Sequence, residues 1–482
     1  MTVEDPRSPK PASPAIAAFL SFVLPGLGQI AVGRIRRGII LAIAPIGVAV
    51  LVAFFLFRDR ADLLGALVKP QVVLALVVAD LLLGLLHFVA VGDAYRLARQ
   101  HVPRSAWQLR ATAPGLLAIL LVLTVGIHGG LGAIGYDAYN TMKTIYPKPD
   151  SSFSIPIPSF APTTPSPGAP PSPTAVPGPA WAADGRLNIL LIGGDAGPGR
   201  WSLRTDTLIL FSADVATGRA ALFGIPRNLY NVPLAPESAG AFPRGVFPYP
   251  NFINALWVYA DQHRGQFPGG DDAGFRAVTG AVQQLVGVPL DGAVVVNLNG
   301  FVDLVDALGG VWINVPYPIY DATYPLENGS GDIVLRIRTG CQHLDGHLTL
   351  AFARSRHQAD DYQRMDRQQI VLEALARQVN PLTLLTQLPN LLQIAGTNLK
   401  TTFTPDDAAS LADFAMTIDV RHMESVLFVP PKYPELLTKA AVARIQKVVR
   451  NVFSTPMASP GPSASPIPSL TPASTGAPCP PG

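Results

Sequence analysis

Leu187-Asn-Ile-Leu-Leu-Ile-Gly-Gly-Asp195, then Arg204-Thr-Asp-Thr-Leu-Ile-Leu-Phe211, then Ala220-Ala-Leu-Phe-Gly-Ile-Pro-Arg-Asn228: three apolar runs follow one another, and each meets a polar cluster at one end. Short apolar runs bounded by turn residues read as buried strands. Strands are expected at 187–192, 207–211 and 219–225, and further along at 293–298, 311–315, 333–337 and 426–429. Helical spacing of apolar residues marks 251–262, 272–286, 301–308, 345–353, 364–379 and 406–416. Alternation of this kind predicts an α/β sandwich, with helices covering a sheet.

Outward from that domain, expected over 185–454, the chain changes character. It has 482 residues, 49% hydrophobic and only 14% charged, where a soluble domain carries about a quarter charged residues. The apolar excess lies in residues 1–146. Charge-free or nearly charge-free runs at 38–57, 71–91 and 112–135 are long enough to cross a hydrocarbon core of ~30 Å. An earlier apolar stretch, 15–33, is interrupted by Pro25-Gly26 and is either a fourth span or a re-entrant hairpin. Arg34, Arg36 and Arg37 precede one run, and Arg96, Arg99, Arg104 and Arg110 precede the last. Under the positive-inside rule both groups belong in the cytoplasm. The protein is thus expected in the cell membrane as a multi-pass chain, with everything after the last span extracytoplasmic. Asp80 and His87 fall on one face of a predicted span, where an interhelical hydrogen bond is the preferred reading.

Residues 147–184 are dense in proline among Ser, Thr, Ala and Gly, and predict a semi-stiff, extended linker. Residues 455–482 share that composition and predict a disordered tail. Two cysteines, Cys341 and Cys479, are too few for a disulfide scaffold or a four-thiolate zinc site. They either form one bridge or stay free. The polar part has a small acidic excess, which argues against a nucleic-acid face.

Strand ends are where open α/β sheets place ligands. Gly193-Gly194-Asp195, Arg204-Thr205-Asp206 and Pro226-Arg227-Asn228 stand at such ends, so Asp195 and Asp206 can approach each other with Arg204 and Arg227 nearby. Carboxylates beside guanidinium groups suit a magnesium-bound phosphate, since the acids take the hard cation and the arginines take phosphate oxygens. Each triplet alone is as well explained by an Asx turn or a surface ion pair. A fourth cluster shifts the balance. Arg354 and Arg356 precede Asp361-Tyr-Gln-Arg-Met-Asp-Arg-Gln368, where Asp361, Arg364 and Gln368 share a helix face and Arg367 lies beside it. A solvated helix laced with ion pairs does not need the arginine pair before it; a diphosphate would supply the missing negative charge. No Gly-Lys-Ser/Thr phosphate loop, GxGxxG turn or Gly-x-Ser-x-Gly elbow occurs, so nucleotide-driven, dinucleotide and serine-hydrolase chemistry have no motif here.

The order GGD, RTDT, IPRN, INA, GFVDLVDALGGVWINVP, CQHLDGHLTLAFARSRH and DDYQRMDRQQ resembles the LytR-CpsA-Psr family of membrane-anchored cell-wall glycopolymer transferases. The resemblance implies an extracytoplasmic α/β/α domain with a hydrophobic pocket for a polyprenyl chain. It implies a polyprenyl-diphosphate-linked glycan as donor, peptidoglycan as acceptor, and membrane lipids but no nucleic acid as partners. Mapped position by position, it implies that Asp195 and Asp206 bind Mg2+ or another divalent cation such as Mn2+. Arg204, Arg227, Arg354, Arg356 and Arg364 would hold phosphate oxygens, with Asp361, Arg367 and Gln368 around them. Asp206, Arg227 and Arg364 are the expected catalytic residues, and Asp206 or Asp366 the base that takes the acceptor proton. One position departs from the family: Asn228 stands where Asp usually follows Pro-Arg. That substitution and the extra spans support an alternative, a non-catalytic module that binds lipid-linked glycan intermediates.

Overall fold

The computed structural model describes residues 12–58, 66–67, 69–100, 107–145, 154–156, 180–194, 204–326, 331–355, 361–379, 387–454 and 479. The chain divides into two compact units, Met1–Lys143 and Thr144–Gly482.

In the first unit, helix α1 (Pro14–Val23) starts at Ser13, whose hydroxyl accepts from the Ile16 amide, with Pro14 at the first helical position. Its 10 residues rise only ~15 Å, half of what a span needs. The chain then turns at Gly26, held at φ +104°, into the short helix α2 (Leu27–Ala31). The 15–33 stretch thus folds as two short helices about a turn. Glycine is required at this turn twice over, because a Cβ on Gly26 would stand 2.1 Å from the Gly38 carbonyl oxygen. Three further helices, α3 (Ile35–Arg58), α4 (Pro70–Gln100) and α5 (Trp107–Ile145), are long and apolar enough to cross a membrane. Gln29 is fully buried and ties the hairpin to α4 by donating to the Ala90 carbonyl at 2.9 Å. Asp80 and His87 of α4 both bond to His128 of α5, at 2.9 and 3.2 Å. This is the interhelical bonding that the sequence suggests.

The second unit is built on strands β1 (Arg186–Gly194), β2 (Thr205–Asp214) and β3 (Ala220–Gly224), which form an antiparallel meander. A small pair, β4 (Val232–Pro233) with β5 (Val246–Phe247), and helices α6 (Leu256–Gln262) and α7 (Ala273–Val286) follow. Strand β6 (Gly292–Asn297) pairs parallel to β1 and leads into helix α8 (Leu298–Ala307). Outside the main sheet, β7 (Val311–Val315) pairs with β10 (Gly340–Leu344), and β8 (Ile319–Pro325) with β9 (Asp332–Ile337). Helices α9 (Gly346–Arg354), α10 (Asp361–Gln378) and α11 (Leu388–Asn398) come next. Strand β11 (Leu399–Thr401), helix α12 (Pro405–Ala415), strand β12 (Glu424–Leu427) and helix α13 (Lys439–Asn451) complete the unit. The main sheet has the order β11-β6-β1-β2-β3-β12.

Two cores result. One packs the β1–β3 side chains against α6, α7 and α13, with Phe223, Phe275 and Ile445 fully buried. The other gathers Val305, Ile313, Ile337, Phe352 and Val371 beneath α9 and α10. The linker expected over 147–184 touches this unit at two places. Ile155 packs on the first core, and Gln283 donates to the Pro156 carbonyl at 2.8 Å. Trp181 is buried and donates to Ser410 at 3.0 Å. An apolar residue set among prolines has somewhere to go, which composition alone does not reveal. Cys341 and Cys479 form a disulfide, so the tail is tied to β10; the rest of 455–482 lies outside the described residues.

Candidate functional site

The meander brings three chain segments to one end of the sheet. Because β1 and β2 are antiparallel, as are β2 and β3, the end of β1, the start of β2 and the end of β3 lie together. The parallel β6 ends there too, at Asn297. Gly193 fits against Thr207 of β2, where a Cβ would come within 2.9 Å of the Thr207 Cβ. Asp206 stands at the start of β2, and Arg227 just past β3. Helix α10 approaches the same edge with its N-terminus, where Asp361 sits favourably in the first turn.

Four side chains interlock there. Arg227 Nη1 donates to Asp206 Oδ1 at 2.6 Å, and Arg227 Nε to Asp361 Oδ1 at 3.1 Å. Arg364 meets the same Asp361 through two nitrogens, Nε to Oδ1 and Nη2 to Oδ2, each at 3.1 Å. It also donates from Nη1 to the Asp206 backbone carbonyl at 2.9 Å. Arg227 thus links β2 to α10, while Arg364, only 3% exposed, holds α10 to the backbone of β2. Burial disfavours the Arg227 charge, but Asp206 and Asp361 outweigh it and raise the guanidinium above its ordinary value.

Below this cluster opens a cavity of about 730 Å³ between the sheet and the helices α8, α9 and α10. Val294, Val296, Phe301, Leu304, Val371 and Leu375 give it an apolar body. Asp206, Arg227, Arg354, Arg364 and Gln368 line it as well, so the charged groups and the apolar space belong to one site. The apolar-cavity expectation that came with the pocket for a polyprenyl chain therefore has a physical counterpart.

The remaining residues singled out from sequence are placed as follows. Arg204 is exposed just before β2 and does not line the cavity. Arg367 is not brought to it either. It is 1% exposed, donates to the carbonyls of Gln363 and Ser355, and lies over the Phe352 ring. The same helix that presents Arg364 and Gln368 to the cavity turns Arg367 into the core, where it secures the chain after α9. Asp366 is likewise absent from the cavity lining. Burial pushes its carboxyl up to about 6, partly offset by Arg367. Asp195 and Arg356 lie outside the described residues. Asn228 turns its amide away from the cavity and donates to Glu435 at 2.7 Å.

Two residues at the site carry no role in the sequence reading. Asn254, in the INA motif, donates to Asp206 Oδ1 at 3.3 Å while its backbone amide donates to the Arg227 carbonyl at 3.2 Å. It holds the two ends of the Asp206–Arg227 pair in register. Asp321 lines the cavity and accepts from the Ser355 hydroxyl at 2.9 Å. A lone Asp among Tyr, Ala and Thr gives no sequence signal, whereas Asn254 was within reach because it falls inside a quoted motif.

A family model described as the LytR_cpsA_psr family matches residues 164–431, more than half of the chain. The chain belongs to this family. An uncharacterised protein of Staphylococcus aureus is 35% identical over 144 residues, which cover 30% of this chain and 34% of that protein. The polyisoprenyl-teichoic acid–peptidoglycan teichoic acid transferase TagV of Bacillus subtilis is 26% identical over 200 residues, 41% of this chain and 44% of TagV. The match thus spans under half the length of either relative. The crystal structure of B. subtilis TagV aligns at 22% identity over 56% of this chain and 98% of that one, with a TM-score of 0.40. Within the family frame, the segments carrying Asp206, Arg227, Asn254 and Arg364 are the stretches whose order the sequence displays.

Proposed function

We propose that the protein is a membrane-anchored phosphotransferase that attaches a polyprenyl-diphosphate-linked glycopolymer to peptidoglycan outside the cytoplasm. The observation that carries this reading is the union of an apolar cavity with the Asp206–Arg227–Asp361–Arg364 cluster at the strand ends. A diphosphate joined to a long hydrocarbon needs both: donors in fork geometry for the phosphates and water-free volume for the chain. The related TagV carries a polyisoprenyl-linked substrate in its name, which supports the choice of lipid.

The chemistry asked of these residues is mostly positioning and charge stabilisation. Arg227 and Arg364, with Arg354, hold the non-bridging oxygens. The acceptor hydroxyl bonds to the phosphorus on the glycan side as the bond from that phosphorus to the polyprenyl phosphate oxygen breaks. The bonding electrons leave with polyprenyl phosphate, and the acceptor proton passes to Asp206, the cavity-lining carboxylate that belongs to the arginine cluster. Among the described residues no group of three or more His, Cys, Asp or Glu side chains gathers to hold a metal alone. Asp206 would hold Mg2+ or Mn2+, with Asp195 as the family resemblance implies, because such an ion takes only one or two carboxylates beside substrate phosphates and water. Bound there, the ion supplies neutralising charge for the diphosphate.

Placement outside the cytoplasm is supported by the arginines flanking α3 and α4 and by the Cys341–Cys479 disulfide, a bond that persists in oxidising compartments. Asn228 does not argue for a non-catalytic module, since its side chain engages Glu435 rather than the cavity. The test is mass spectrometry of the purified full chain, with polyprenyl lipid expected to co-purify, followed by transfer of a synthetic polyprenyl-diphosphate glycan to peptidoglycan. A reporter fused at Ala182 that is active only in the cytoplasm, or a lipid-free protein inert in transfer, would defeat the reading.

A further inference from the structure

Beside the phosphate cluster, an exposed group of aromatic rings is left without a structural reason to be there. Tyr230 lies 5.0 Å from the ring of Tyr249 and 4.5 Å from that of Phe252, both tilted. Tyr249 is 65% exposed, Phe252 37%, and the neighbouring Leu436 50%. The rings are held by backbone pairing rather than by a core. Tyr230 bridges to Leu436, the Tyr249 amide donates to Asn231 Oδ1 at 3.2 Å, and the Ile253 amide to the Leu229 carbonyl at 3.0 Å. Asn231 adopts φ +54°, a conformation unusual outside glycine, and so turns the chain at the edge of the platform. A polar rim completes it: Glu435 Oε1 accepts from Asn228 at 2.7 Å and from the Tyr362 hydroxyl.

We infer that this platform is a subsite for an uncharged stretch of glycan, namely the acceptor strand, stacked on Tyr230 and Tyr249 and hydrogen-bonded by Asn228, Glu435 and Tyr362. The inference rests on the transferase reading and assigns the second substrate a place. Three considerations carry it. A sugar ring offers an apolar C–H face, which suits the negative face of an aromatic ring, and a rim of hydroxyls, which suits amide, carboxylate and phenol partners. The platform is continuous with the phosphate cluster: Tyr230 follows Arg227 by one turn, Phe252 precedes Asn254, and Tyr362 follows Asp361. Tyr230, Tyr249, Phe252, Tyr362 and Glu435 are not among the residues that line the apolar cavity, so a glycan lying there would reach the cluster without taking the space of the hydrocarbon chain. Glu435 lastly gives the rim a negative charge, which disfavours the phosphate-bearing donor polymer and favours neutral hexosamines. The same carboxylate speaks against insertion of the rings into lipid, where an ionised group is costly.

The experiment measures binding of a neutral β-1,4-linked N-acetylglucosamine tetramer to the full chain in nanodiscs, with no donor lipid present, and separately the acceptor KM and kcat of transfer. Removing one stacked ring, Tyr249→Ala or Tyr230→Ala, should weaken tetramer binding and raise acceptor KM by about tenfold, leaving kcat and donor KM near wild type. Tyr249→Phe should bind within about twofold of wild type if stacking carries the contact. Unchanged tetramer affinity in both alanine variants overturns the inference, as does a Tyr249→Trp variant whose added emission is quenched by brominated acyl chains. If tetramer binding depends on the rings but no transfer occurs, the platform stands and the transferase reading fails, so the two failures are separable.

Discussion

Replacing Arg227 by lysine tests whether the cluster works by geometry rather than by charge alone. The guanidinium reaches Asp206 Oδ1 at 2.6 Å through Nη1 and Asp361 Oδ1 at 3.1 Å through Nε. These acceptors lie on different elements, β2 and α10, and a fork with fixed spacing is what joins them. A lysine ammonium keeps the charge but is a single point on a flexible stem, so it engages one carboxylate or the substrate phosphate and not the set. The loss is about one charge-assisted hydrogen bond in the transition state, ~1.5–3 kcal/mol, which corresponds to a fall of roughly 10- to 150-fold in kcat/KM. Stability should change little. The Arg227 side chain is 18% exposed and Asp206 33%, so solvent screens the pair and its contribution to folding is ~1 kcal/mol or less. In a unit of this size that moves Tm by roughly 2–4 °C at most. The assay is transfer of labelled glycan from a synthetic polyprenyl diphosphate, with a melting curve on the same sample. Transfer within twofold of wild type, with Tm unchanged, would mean that the Arg227 fork holds no phosphate and that its charge alone suffices.

Other variants separate catalytic from structural roles. Arg364→Ala should abolish transfer and also lower stability by ~1–3 kcal/mol, because Asp361 keeps Arg227 but the Asp206 carbonyl loses its Arg364 donor; chemical denaturation reads the difference, and an unperturbed curve contradicts the burial argument. Leu304→Trp, which extends a side chain into the cavity, should remove co-purifying polyprenyl lipid while leaving Tm near wild type, since it fills space rather than overpacking a core; undiminished lipid would place the hydrocarbon elsewhere. Burial raises the Asp291 carboxyl from 3.8 to about 7, so the folded state binds a proton that the unfolded state has released. Stability from this group is present below about pH 4 and is lost as pH rises through about 7. Asp291→Asn should therefore flatten that part of the stability–pH curve and raise Tm at pH 8; a parallel curve would show that Asp291 titrates normally.

Much of the sheet was legible because its strands are apolar runs closed by polar triplets, and the alignment of those triplets follows once antiparallel pairing is assumed. The sequence was silent on β4, β5, β8, β10 and β11. Ile319–Pro325 alternates buried and exposed positions, but Asp321, Ala322 and Pro325 are depleted in strands and leave no apolar run to read. Helix α13 was readable and was missed: Ala441, Ile445 and Val449 are its buried positions, spaced by four residues within a Lys- and Arg-rich surround. At the site, Asp361 and Arg364 were legible from their i, i+3 spacing on one helix. Arg367 misleads for the same reason, since one helix carries both a cavity face and a core face, and only the packing of α10 against Phe352 decides which face it takes.

The cluster is made of pairs, and that bears on how it would act. An arginine waiting alone beside an apolar cavity would be costly to desolvate and free to turn away. Here Asp361 accepts from both Arg227 and Arg364, while Asp206 accepts from Arg227 through its carboxylate and from Arg364 through its backbone. The two acids fix both guanidinium planes before any substrate arrives, so little reorganisation remains when phosphate charge develops. Arg227 makes hydrogen bonds through Nε and Nη1 only, among the described residues, and its remaining nitrogen is the donor best placed for a newcomer. Asn254 keeps Asp206 and the Arg227 backbone in register, which makes it a positioning residue. The asymmetry follows from the fold: Arg364 is committed to β2 and α10 and sets the frame, whereas Arg227, at the free end of β3, is the member able to exchange a carboxylate for a phosphate.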